Sequence, residues 1–221
     1  MNGLKATSLS EQIANHLGEM IVRGELAAGA KLAEADLARQ LDVSTNSLRE
    51  AYRLLESRHL IEIQPRRGAR VTEVTEQQVR ELYDFAFLML SQVAARAAET
   101  WQEGELDELV QIIPALESHQ RDGDMAGAHQ TVFDFLPDML RFARNSYMAR
   151  TITDIIPLLQ RYSFIALREE TSELDVSVEI FKRLLANVAA RNAEAAASDI
   201  REYGDNQCRI VLGAVKRRSA A

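Results

Sequence analysis

Residues 44–50 read STNSLRE, inside the run LAEADLARQLDVSTNSLREAYRLLE of residues 32–56. Apolar residues at Leu37, Leu41, Val43, Leu48, Leu54 and Leu55 predict two short helices broken around LDVS. Asp42 and Ser44 supply the break, because their side chains bond nearby backbone amides and favour turns and caps. The second helix then opens on small polar residues, with Arg49 one turn in. One reading is a capped helix with Ser44 at its N-cap. The other is a tip shaped for nucleic acid. A helix N-terminus carries free amides and partial positive charge, which suits phosphate. Short side chains such as Asn46 and Ser47 approach base edges in a major groove without clashing, and Arg49 clamps phosphate or reads guanine. Leu48, Ala51, Leu54 and Leu55 face inward on this reading, so the helix packs and reads at once.

The neighbouring sequence favours the second reading. Upstream, SLSEQIANHLGEMIVRG (8–24) spaces Leu9, Ile13, Leu17, Met20 and Ile21 along one helical face, with Ser10 or Ser8 as cap and Gly24 as stop. GELAAGAKL (24–32) reads as a turn-rich connection. Downstream, LIEIQPRRGARVTEV (60–74) alternates Ile61 and Ile63, turns at Pro65–Gly68, and alternates Ala69 and Val71. That is a small β-hairpin with a basic tip. Arg53 and Arg58 follow Arg49 on the helix, and Arg66, Arg67 and Arg70 lie on the hairpin. Gly68 lets the backbone approach a duplex, and Arg67 suits a minor groove. Three helices and a hairpin predict a winged helix-turn-helix.

After Val74 the period is helical throughout. TEQQ (75–78) has capping-box spacing. Helices are predicted at about 75–99, 104–121, 124–144, 146–169, 173–190 and 192–215, with Pro114, Pro137 and Pro157 inside three of them marking kinks or boundaries. The fold class is mainly α, with a winged helix-turn-helix over 1–73 and an all-helical bundle of about six helices over 74–221. Of the 221 residues, 1–72 hold 10 Lys/Arg and 9 Asp/Glu, a balance of +1. Residues 73–221 hold 16 and 24, a balance of −8, so the net −7 belongs to the second unit and leaves the first free to carry a basic face. Cys208, the lone cysteine, forms no internal disulfide and no multi-cysteine metal motif. No apolar stretch reaches a bilayer's thickness and the N-terminus lacks a signal-peptide pattern, so a soluble cytoplasmic protein without membrane partners is expected. Acids, bases and nucleophiles do not converge: the acidic pairs at 169–170 and 122–124 fall in expected loops, and an enzyme is not expected.

The run from Ile21 to Val71 resembles the DNA-binding domain of the GntR family of bacterial transcription regulators. The all-helical remainder resembles the FCD domain of the family's FadR branch, in ELYDFAFLMLSQVAARAAE (81–99) and ANVAARNAEAAASDIREY (186–203). The family has Arg, Thr and Pro after the serine of its recognition helix; here stand Thr45, Asn46 and Ser47. A further family Arg in the preceding helix is Ala35 here. Two cationic side chains are thus missing while Arg49, Arg67 and Gly68 remain, which implies a changed operator. By resemblance the DNA-contacting residues are Ser44, Thr45, Asn46, Ser47, Arg49, Arg66, Arg67 and Gly68.

Many FCD domains hold a divalent metal through an Asp and three His and bind small carboxylates on it. The corresponding positions here are Val132, Leu136, Phe181 and Tyr203, and the family's Arg and Glu in the first bundle helix become Ala86 and Leu90. No metal and no cofactor is therefore expected. Two readings remain for these positions: a filled core, or a cavity for an apolar or acyl effector, oriented by Tyr203, Tyr162 and Arg161. His16 and His59 read as surface or packing residues, His119 as a helix-end cation, and His129, with Asp134 and Asp138 nearby, as an unsupported alternative metal site. The resemblance implies a homodimer on a palindromic double-stranded operator, a repressor released by a small molecule. The alternative is an effector-independent dimer whose second domain serves only assembly.

Overall fold

Ser8 starts the first helix with reciprocal hydrogen bonds: Glu11 N–H donates to Ser8 Oγ (3.2 Å), and Ser8 N–H donates to the Glu11 carboxylate (2.8 Å). The computed structural model describes residues 8–167 and 173–219. Ser8 rather than Ser10 is thus the cap; the Ser10 hydroxyl instead donates to Glu50 (2.8 Å). The chain divides into two compact units, Met1–Val74 and Thr75–Ala221.

In the first unit α1 (Leu9–Val22) packs on α3 (Thr45–Ser57), with α2 (Glu34–Gln40) beside α3. Ile13, Leu17 and Ile21 of α1 and Leu48, Ala51, Tyr52 and Leu55 of α3 are buried. Asp42 takes φ +51 in the turn between α2 and α3, where a short side chain tolerates the left-handed region. The hairpin is β2 (Ile61–Gln64) and β3 (Gly68–Val71), with Ile61 opposite Val71 and Gln64 opposite Gly68. Its tip closes through Arg67 N–H to the Gln64 carbonyl (3.0 Å), with Pro65 and then Arg66 at φ +64 between them. That is the pattern of a type II turn, with Pro at its favoured second position. Gly68 at φ +85 follows. Ile63 is 36% exposed, so the expected alternation reaches the core only through Ile61.

One strand escapes the sequence reading. Lys31 and Leu32 form β1, antiparallel to β3, so the sheet runs β1-β3-β2. Gly29 at φ +72 turns the chain, its N–H donating to the Val71 carbonyl (3.0 Å), while Val71 N–H donates to the Ala30 carbonyl (2.9 Å). Two residues show no alternation, and only their partner strand defines them.

The second unit is helical. α4 (Glu76–Thr100) starts on a capping box between Thr75 and Gln78. It packs along α9 (Ala193–Ser219), and both helices bury small residues, among them Ala86, Ala94, Ala97, Ala196 and Ala197. A Cβ on Gly204 would meet the Phe87 ring at 2.2 Å, so this glycine admits the ring. Around this pair stand α5 (Ile112–Asp122), α6 (Met125–Met139), α7 (Ser146–Ala166) and α8 (Glu173–Ala189). The expected helix from 104 instead begins as a 3-10 turn at Leu109–Gln111, after turns that include Gly104 at φ +83. Pro114 sits in the first turn of α5, where no amide donor is required, so it marks the start rather than a kink. Pro137 lies two residues before the end of α6, and the chain continues as a 3-10 turn, Leu140–Ala143, rather than α-helix to 144. Pro157 stays inside α7. The acidic pair at 169–170 lies outside the described residues. Among the described residues no helix is long and apolar enough to cross a membrane.

The Tyr52 hydroxyl is buried without a hydrogen-bond partner, and its pKa is pushed up to about 12, first by burial and then by the nearby Glu34 carboxylate. An unsatisfied buried hydroxyl costs about 1–3 kcal/mol. Tyr52→Phe is therefore expected to raise stability by about 1 kcal/mol in urea unfolding; a loss of stability would show that the hydroxyl has a partner.

Candidate functional site

The surface of α3 divides by helical phase. Leu48, Ala51, Tyr52 and Leu55 are buried, while Thr45, Asn46, Arg49, Glu50 and Arg53 are exposed. Ser44 is the N-cap: Ser47 N–H donates to its Oγ (3.0 Å), and the two hydroxyls lie 2.8 Å apart. Ser44 and Ser47 therefore shape the tip, and Thr45 and Asn46 project from it. Leu54 is only half-buried, and Arg58, grouped with the exposed arginines by sequence, turns to α1 and donates to Asn15 Oδ1 (2.9 Å). Arg49 pairs with Glu34 of α2 (2.8 Å), with side chains 63% and 32% exposed. A pair this open is worth about 0–1 kcal/mol, so a phosphate displaces the carboxylate at small cost. Arg66, Arg67 and Gly68 are exposed at the hairpin tip. Arg70, on β3, donates to the Gly29 carbonyl (3.3 Å) and braces the sheet.

The second feature is a cavity inside the helical unit, with two adjoining lobes of about 80 and 60 Å³. Leu90, Val132, Leu136, Phe181 and Tyr203, five of the residues assigned to a pocket from sequence, line the larger lobe. The Phe181 and Tyr203 rings meet edge to face at 5.1 Å. Ala86 and Arg161 do not line either lobe: Ala86 is buried on α4, and Arg161 is buried on α7. Tyr162 is also buried and absent from both walls. Sequence reasoning missed Ser163 and Gln207 and weighed His129 only as a metal ligand; both lobes share these three residues with Val132 and Tyr203. His129 Nε2 lies 2.7 Å from Ser163 Oγ, and its ring packs on Phe133 at 4.7 Å. Burial drives the His129 pKa down to about 4, so the ring is neutral at pH 7. The only sequence signal for this group was a histidine on an otherwise apolar helix face.

The positions that hold a metal in related domains carry three hydrocarbon side chains here, plus the Tyr203 phenol, which burial holds protonated. This donor set does not fit a divalent ion, which needs imidazole, carboxylate or thiolate ligands. Among the described residues no three His, Cys, Asp or Glu side chains stand close enough to share a metal. A hydroxyl–imidazole–carboxylate chain does exist elsewhere, with His119 Nδ1 2.9 Å from Asp124 and Nε2 3.1 Å from Thr131. Its carboxylate caps α6, receiving the Gly127 N–H (2.9 Å), and that bond is the main cause of its lowered pKa. A Cβ on Gly127 would fall 2.3 Å from the His119 ring. The chain ties the end of α5 to the start of α6.

The neutral His129 has a consequence for stability. Above its ordinary value of 6.5 neither the folded nor the unfolded state is protonated there. Between 6.5 and about 4 the unfolded chain takes up a proton that the folded state refuses, so stability falls on acidification and levels off below. Urea unfolding from pH 7 to 4 is expected to show this loss, at most about 3 kcal/mol, and His129→Gln to flatten it. An unchanged slope in the variant would place the titration elsewhere.

Residues 9–71 match the model of the bacterial regulatory proteins, gntR family, and residues 81–206 match the FCD domain. The chain is 25% identical over 186 residues to the gluconate operon transcriptional repressor of Bacillus licheniformis, covering 83% of this chain and 74% of that one. It is 24% identical over 210 residues to the uncharacterized HTH-type transcriptional regulator YdhC of Bacillus subtilis (strain 168), covering 92% and 91%. Among solved structures it is similar in fold to E. coli McbR/YncC, with a TM-score of 0.79, 24% identity, and coverage of 93% of this chain and 97% of that one. The matched domains and these relatives are those of transcription regulators, not enzymes. With one domain model spanning the helix-turn-helix and wing, and the other most of the helical unit, the chain belongs to the GntR family of DNA-binding transcription regulators, in the branch with a C-terminal FCD domain.

Proposed function

We propose that this regulator is a repressor that binds a palindromic operator as a homodimer and leaves it when a small molecule enters the bundle cavity. The observation that carries the proposal is the cavity, whose apolar walls include polar side chains, Tyr203 and Gln207, without a hydrogen-bond partner among the described residues. A ligand that binds better in one arrangement of the dimer shifts the population toward it. Self-association is supported by Phe85 and Leu88, one turn apart on α4, which leave large apolar side chains exposed. A self-complementary apolar stripe suits a two-fold axis, and a two-fold dimer matches a palindrome.

On DNA, Thr45 and Asn46 read bases, Ser44 and Ser47 present the helix N-terminus, and Arg49 exchanges Glu34 for phosphate. Arg66 and Arg67 follow the backbone or minor groove beside the tip, with Gly68 keeping the approach close. Once a binding duplex has been selected from random sequence, Arg49→Ala should weaken it about tenfold or more. It should also flatten the log affinity against log salt plot by about one to two units, because each protomer of the dimer gives up one phosphate partner. Unchanged affinity and slope would remove Arg49 from the interface. Asn46→Ala should instead change which sequences are selected.

Effector control is tested by thermal shift and duplex release with fatty acids, acyl-CoA esters, aromatic acids and neutral aromatics. At least one class is expected to raise Tm and lower duplex affinity. A screen in which nothing shifts either reading supports the effector-independent dimer.

A further inference from the structure

Hydrogen bonding around His129 narrows what the cavity accepts. Ser163 Oγ lies 2.9 Å from the Leu159 carbonyl and 3.2 Å from the Gln160 carbonyl, as well as 2.7 Å from His129 Nε2. Carbonyl oxygens only accept, so a Ser163 proton shared with the α7 backbone leaves the hydroxyl oxygen to accept from His129 Nε2. In that arrangement the ring's proton sits on Nε2. The other nitrogen, Nδ1, is left as a bare acceptor, and among the described residues nothing donates to it. One wall away, Tyr203 and Gln207 stand four residues apart on α9 and line both lobes. Neither side chain has a hydrogen-bond partner among the described residues.

Two further features bound the ligand. No Asp, Glu, Lys or Arg lines either lobe among the described residues. A carboxylate entering this space would shed its hydration with no counter-charge among the described wall residues to meet it. The larger lobe, in turn, is walled by Tyr83, Phe87, Phe133, Phe135, Phe181 and Tyr203. Phe87 and Phe181 both stand edge to face with Tyr203, a geometry that receives another flat ring.

We infer that the cavity takes a neutral aromatic molecule bearing a hydroxyl group, whose O–H donates to His129 Nδ1 while its oxygen accepts from Tyr203 or Gln207. This rests on the effector reading above and gives it a ligand class, one opposite in charge requirement to a metal-bound carboxylate. The polar groups sit where the two lobes meet, so a ring lies in the larger lobe with its hydroxyl at the junction.

The test uses the full chain and three probes on one skeleton: 4-ethylphenol, ethylbenzene and 4-ethylbenzoate, each followed by calorimetry and by duplex release. The phenol is expected to bind about tenfold more tightly than the hydrocarbon, the worth of one good buried hydrogen bond. The carboxylate is expected not to bind, and EDTA to change nothing. Tyr203→Phe with Gln207→Leu, and separately His129→Phe, should erase the phenol's advantage over ethylbenzene while leaving ethylbenzene binding in place. Should His129→Phe not fold, the α9 double variant carries the comparison alone. Binding of 4-ethylbenzoate as tight as that of the phenol, binding of none of the three, or an advantage that survives the variants overturns the inference. The two readings fail differently. If the phenol binds and duplex affinity does not move, the ligand class stands and effector control falls. If the carboxylate binds and releases the duplex, effector control stands and the ligand class falls.

Discussion

The burial of Leu48 and Leu55 under α1 decides which way α3 faces, and the DNA-facing half of the molecule depends on it. Both side chains are fully buried, and each stabilises its side of the helix by roughly 2 kcal/mol. With that stripe held down, the helical period leaves Thr45, Asn46, Arg49 and Arg53 no place except outside. The cap at Ser44 and the left-handed turn at Asp42 then set where the exposed tip begins. The sheet does the same for the wing. Because β3 is paired on both sides, by β1 and by β2, the Arg66–Arg67 tip is held by three strands rather than swinging on a two-stranded ribbon. Packing and reading are two faces of one constraint.

In the helical unit the corresponding constraint is a mismatch of side-chain size. α4 and α9 are rich in buried alanines, and Gly204 of α9 lets Phe87 of α4 lean across. The surrounding helices bring large rings and branched chains to the other side, and these do not fill the space between. What remains is apolar hollow with a few polar groups on its wall. Empty space forfeits dispersion contacts, and unpartnered polar atoms forfeit hydrogen bonds. A ligand that restores both gains more here than on any flat surface. That is a reason for a regulator to keep the hollow, since an effector acts only through what it gains in one state and not the other.

The departures from the metal-binding pattern read consistently in this light. Val132, Leu136, Phe181 and Tyr203, the positions that the resemblance assigns to metal ligands, offer no donor set for a cation that would draw in an anionic ligand. Among the described residues the polar groups of the cavity wall are neutral: a histidine that burial keeps unprotonated, the hydroxyls of Tyr83, Ser163, Ser177 and Tyr203, and the Gln207 amide. Charge is absent from both lobes among the described residues, while Arg161, the cation assigned to the pocket from sequence, is buried outside their walls.

Much was legible from residue order alone, for a simple reason: helix phase, caps and turns are local. The α4 capping box, a serine cap on α1, the break at LDVS, the inward Leu48, Ala51 and Leu55 of α3 and the Pro65–Gly68 turn all follow from interactions within four residues. So did the convergence of Val132, Leu136, Phe181 and Tyr203, although there the family pattern supplied what spacing could not. Strand β1 was invisible because two residues have no period; its partner about 38 positions along the chain defines it. Ala86 and Arg161 were misplaced because a helical wheel gives a direction and not a depth, so an inward residue can end at a seam rather than at a cavity. The pairing of His129 with Ser163, and the free nitrogen it leaves, needed two helices brought to 2.7 Å. The sequence by itself determined the elements, their inward faces and the chemistry available. Tertiary packing alone decided which of those groups meet, which are satisfied, and which are left facing a hollow, because hydrogen bonding and charge depend on distances that no local rule sets.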